Sequence, residues 1–173
     1  MFRFLEKASD GAFFLGKWLT FIYIAAVTTL SILGVIFRSA GSALSWNEEL
    51  MRWLLVSLAY IGASVGMRTK NHIGIEFFLA RMKMNAQRIL IIIGYAAIVL
   101  FLIIVLVYGF QVAWSARRQL GSIVRIPMVY VKMNLPLGAL LMLTHILYLG
   151  AGIVREKNDL RKYMIAGGEG SVE

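Results

Sequence analysis

The sequence predicts an all-α membrane protein with four transmembrane helices, and three observations carry that prediction. Hydrophobic residues make up 60% of the 173 residues and the mean hydropathy is +0.75, against about 45 to 50% apolar residues in soluble domains. Four runs carry no charged side chain, lying between Lys17 and Arg38, Arg52 and Arg68, Arg88 and Arg117, and Lys132 and Arg155. The basic residues gather at the ends of these runs instead of along one solvated face, so the net charge of +9 points to membrane lipids and not to nucleic acid.

Each element follows from its neighbours. Residues 2–15 mix Phe2, Phe4, Leu5, Phe13 and Phe14 with Arg3 and Lys7, the composition of an amphipathic helix lying on the membrane surface. The first span, about 17–38, opens on Trp18 as an interfacial anchor. Its apolar run exceeds the 7 to 15 residues of a signal peptide core, so it is expected to remain as a span. The second span, about 45–68, starts at Ser45-Trp46-Asn47-Glu48-Glu49. Ser45 and Glu48 have the spacing of a capping box, and Glu48 and Arg52 that of an i,i+4 ion pair. On a helical wheel Glu48, Arg52, Ala59, Gly62 and Gly66 share one stripe, with Trp46, Trp53 and Tyr60 opposite. Small residues let membrane helices approach closely, so the stripe reads as a packing seam locked at one end by the charged pair. Glu49 falls off the stripe and, with Trp46 and Trp53, reads as a contact for a partner or the membrane surface.

Residues 73–83 are too short and too charged to span and are expected as a second surface helix. The third span, about 89–115, is long enough to tilt or to project beyond the apolar core. Arg117, Arg118 and Arg125 then stand in a loop where they either anchor headgroups or dock an acidic partner. The fourth span, about 127–154, starts at Pro127, carries Pro136 in its first turns, and directs His145 at a neighbouring helix. Residues 1–165 thus form one membrane domain, and the Gly-rich 166–173 a disordered tail. Twelve of the basic residues belong to the two termini and the 68–88 segment and six to the other side, which by the positive-inside rule puts both termini in the cytoplasm.

The sequence lacks the materials of catalysis. There is no cysteine, and no nucleophile, base and orienting group cluster together. The chain therefore reads as no enzyme, with no catalytic, cofactor or metal residues. His72 and His145 leave open an alternative, the membrane anchor of a redox complex. A histidine within a span is a functional candidate by default, while a neutral imidazole bonded across a helix interface needs no function at all.

The stretch Trp46-Asn47-Glu48-Glu49, Arg52, Gly62-Ala63, Arg68, His72-Ile73 and Ile75-Glu76 resembles the small membrane subunit of TRAP transporters, the tripartite ATP-independent periplasmic family. The chain departs from the family's pattern in having Glu76 where an Asp is usual. The resemblance implies a bacterial inner-membrane protein that is a non-catalytic scaffold in a sodium-coupled uptake system for carboxylates such as C4-dicarboxylates or sialic acid. Its implied partners are a large membrane subunit working as an elevator and, transiently, a periplasmic substrate-binding protein.

Overall fold

The computed structural model describes residues 2–69 and 84–155. The expected surface helix at 73–83, His72 and the expected disordered tail lie outside them. Among the described residues five helices follow in order: α1 (Phe2–Ser39), α2 (Ser45–Arg68), α3 (Met84–Ser115), α4 (Met128–Lys132) and α5 (Asn134–Arg155), with a 3-10 turn at Ala116–Arg118. Four segments of the described residues are long and apolar enough to cross a membrane, Arg3–Ser39, Ser45–Arg68, Ile89–Arg118 and Met128–Gly152.

α1 differs from expectation in being one unbroken helix of 38 residues, about 57 Å at 1.5 Å per residue. The segment 2–15 expected on the membrane surface is helical, but it continues directly into the span because no proline or capping signal interrupts it. Tertiary contacts hold it along the bundle. Ser9 Oγ and His145 Nδ1 share a buried hydrogen bond of 2.8 Å, and Arg68 donates to Asp10 over 2.6 Å. α1 ends in a Schellman motif, with Ser42 N–H bonded to Phe37 O and Gly41 N–H to Arg38 O. Gly41 takes φ 75°, the left-handed conformation the motif requires.

α2 returns antiparallel to α1. Its N-cap is Leu44 and no side chain caps it, so the expected capping box does not form: Ser45 is already the first helical residue. Glu48 instead accepts from Arg38 over 2.8 Å. The predicted Glu48–Arg52 pair is thereby replaced by one that ties the ends of α1 and α2. At the other end of α2, Thr69 Oγ1 donates to the Val65 and Gly66 carbonyls.

α5 is the central helix and packs on α1, α2 and α3. With no hydrophobic drive between helices in lipid, such contacts depend on shape and small residues. Gly138 lies against Tyr60 of α2, Gly109 of α3 against Leu135 and Pro136, and Gly16 of α1 against Ser64 and Val65. The core gathers Met67, Leu102, Ala139 and Ile146, with Tyr95, Val99 and Met142 packed around it.

The expected fourth span is two helices, interrupted at Met133. Pro136 has no N–H for the Lys132 carbonyl. Asn134 repairs the junction, its Nδ2 donating to the Tyr130 and Val131 carbonyls while its Oδ1 accepts from Tyr23 of α1.

Candidate functional site

Two features of α2 carry the candidate site: the side it turns into the bundle and the side it leaves open. Inward go Asn47, Ser57, Ile61, Ser64 and Met67, centred opposite Glu48 at about 100° of rotation per residue. Ser57 and Ser64 donate to carbonyls of their own helix, Trp53 O and Ile61 O, so they enter the core without needing a partner. Asn47 is 2% exposed and donates to Leu30 O of α1 over 3.0 Å. Trp53 and Tyr60 are half-buried on the same inward side, so this part of the aromatic face packs within the chain.

Outward go Glu48, Arg52 and Ala59, all exposed, with Gly62 and Gly66 half-exposed beside them. A Cβ on either glycine would meet nothing within 4 Å. Among the described residues, then, no helix packs against the two glycines, while Glu48 at the end of the stripe pairs with Arg38 of α1.

At the end of the bundle where α2 starts, Glu49 lies over the segment 119–127. Its carboxylate accepts three consecutive backbone N–H groups, from Ser122 over 2.7 Å, Ile123 over 2.9 Å and Val124 over 2.7 Å. Such a run of amides is a ready-made anion nest. Arg52, three residues on, is the cation near this carboxylate. One turn along α2, the Trp53 ring packs on Gly121, where a Cβ would collide with the ring and with the Val124 carbonyl. Glu49, expected as a contact for a partner or the membrane surface, is engaged by its own chain, and Trp53 with it.

The other predicted contact residues surround this loop. Arg117, Arg118 and Arg125 are exposed, and the Arg117 guanidinium lies 5.3 Å from the Trp114 ring centroid. Trp114 is 53% exposed and Trp46 38%. Lys132 donates to Gln119 and so closes the base of the loop.

At the opposite end, His145 is fully buried and bonded to Ser9 through Nδ1, with no partner at Nε2 among the described residues. The Arg68 guanidinium sits 4.7 Å from the Tyr148 ring centroid while pairing with Asp10, so α1, α2 and α5 are pinned together there. Ser9, Gly16, Asn47 and Ser64 are the residues that sequence reasoning missed. The signal for Gly16 and Ser64 was small size at facing heights of two helices. For Asn47 it was an amide adjoining an apolar run.

Comparison with known proteins bears on what this arrangement serves. Residues 26–155 match the family model described as the DctQ component of tripartite ATP-independent periplasmic transporters. The chain belongs to the DctQ family. Over 117 residues, 66% of the chain, it is 31% identical to the C4-dicarboxylate TRAP transporter small permease protein DctQ of Rhodobacter capsulatus. The match spans about half of that relative, 52% of its length. DctQ membership makes the protein a transporter component and not an enzyme. It also accounts for four apolar helices in a multi-pass inner-membrane protein.

Proposed function

We propose that this chain is the non-catalytic scaffold subunit of a sodium-coupled TRAP permease. It braces a large elevator subunit that carries substrate and ions, and a periplasmic binding protein delivers the substrate. C4-dicarboxylates are the favoured substrate class, after the name of the Rhodobacter capsulatus relative; sialic acid and similar carboxylates belong to the same proposal. Both termini face the cytoplasm, as the distribution of basic residues favours.

The observation that carries the scaffold reading is the outward stripe of α2. Ala59, Gly62 and Gly66 form a small-residue surface suited to close helix contact, with Arg52 and the Arg38-paired Glu48 at its end, and among the described residues a Cβ on either glycine meets nothing within 4 Å. We assign it to the large subunit. A subunit against which another domain moves must itself resist deformation, and the polar pins at both ends of this bundle supply that. Ser9–His145 and Arg68–Asp10 hold one end, Asn47–Leu30 and Tyr23–Asn134 the part toward the other.

Reconstitution into proteoliposomes tests the assignment. With a large subunit and a binding protein, the chain supports C4-dicarboxylate uptake that depends on an inward sodium gradient. The chain alone gives none, and sodium-driven uptake by it alone contradicts the proposal.

A further inference from the structure

The loop at 119–127 is built unlike a loop that lives in water. From Gln119 to Met128, every backbone N–H except those of Leu120 and Arg125 is bonded within the chain. Gly121 donates to Ile126 O, Ile126 to Val124 O, Met128 to Gln119 O, Gln119 to Ala116 O, and Ser122, Ile123 and Val124 to the Glu49 carboxylate. Water would satisfy these amides without help, whereas non-helical backbone at membrane depth must be satisfied by protein. The side chains repeat the pattern. Leu120, Ile123 and Ile126 are 55%, 50% and 39% exposed, three apolar side chains turned outward from one short hairpin. The exposed Arg117, Arg118 and Arg125 flank them, and Trp46, Trp114 and the 70% exposed Tyr130 stand around the same end of the bundle. Apolar residues, arginines and an aromatic belt at one level are the composition of a segment seated at the headgroup and acyl boundary.

We infer that this loop is a lipid-seated hairpin: Leu120, Ile123 and Ile126 enter the acyl boundary of the adjoining leaflet, and Arg117, Arg118 and Arg125 take phospholipid phosphates. Glu49 is its positioning residue, because its carboxylate satisfies three amides that the lipid cannot. Trp53 against Gly121 fixes the height of the hairpin on α2. The inference stands on the membrane fold and does not need the transport assignment.

The natural chain has no cysteine, so a single spin label reports one site without background. Ile123→Cys and, as a second site, Leu120→Cys are labelled in the full chain in vesicles of phosphatidylethanolamine and phosphatidylglycerol, with helix content followed by circular dichroism. At both sites collisions with oxygen exceed those with a water-soluble nickel chelate. Glu49→Gln in either background reverses that ratio while helix content is unchanged. Free access of the nickel chelate to both sites overturns the inference, since the loop is then in water. Poor access of both reagents also overturns it, since the hairpin is then covered by protein.

Discussion

Single residues in this bundle differ in weight according to burial, more than according to charge. Arg38 and Glu48 form the most conspicuous ion pair, yet their side chains are 71% and 61% exposed. Exposed pairs contribute about 0 to 1 kcal/mol. Arg38→Ala is therefore expected to leave the unfolding midpoint in detergent nearly unchanged. Ser9→Ala deletes a far less visible group. It strands His145 Nδ1 beside an Nε2 that has no partner among the described residues, in a site with no exposure. A buried unsatisfied group costs about 1 to 3 kcal/mol, so this variant unfolds at clearly lower denaturant than Arg38→Ala. Equal midpoints for the two would show that the Ser9–His145 contact does not hold α1 to α5.

At the scale of elements, the contact between α2 and α5 turns on one glycine. A Cβ at Gly138 would lie 2.8 Å from Tyr60 O and 3.0 Å from Tyr60 C, and backbone atoms of a helix cannot move aside as a side-chain tip can. Gly138→Ala is expected to destabilise the bundle by about 1 to 3 kcal/mol, read as a lowered midpoint in a denaturant titration, with helix content before the transition unchanged. Gly62→Ala on the open stripe, made as a control, leaves the isolated chain within about 0.5 kcal/mol of wild type.

Much of this level was legible in the sequence. Charge-free runs give four spans because lipid cannot solvate charge, and the wheel of α2 separates two faces because helical period is a property of the backbone. The direction of His145 toward a neighbour was legible for the same reason. What the sequence could not decide is which face of α2 turns inward. Both carry small residues, Ser57 and Ser64 on one and Gly62 and Gly66 on the other, and only the positions of α1 and α5 choose between them. The partners of Glu48 and Glu49 were hidden likewise. An i,i+4 neighbour is visible in sequence, but Arg38 lies across a turn and the 122–124 amides 73 to 75 residues away. The break at Met133 was signalled by Pro136, whereas the continuity of α1 had no local signal because amphipathic and spanning helices share the same backbone.

The whole molecule is a helix bundle in which, among the described residues, the small-residue stripe of α2 has open space beside its glycines. α5 at the centre binds α1, α2 and α3, polar pins tie three of these helices near one end, and the Glu49 clamp organises the loop at the other. Under the proposed scaffold role, these features suit a stationary partner of a moving domain, and the decisive contact is assigned to α2. The double variant Gly62→Leu with Gly66→Leu fills the open stripe without touching the inward face. Co-purification from membranes with a tagged large TRAP subunit measures its effect. The scaffold account predicts that the variant is inserted and as stable alone as wild type, yet loses most of its recovery with the large subunit, while Arg38→Ala retains it. Recovery of the double variant at the wild-type level would contradict the assignment of this face.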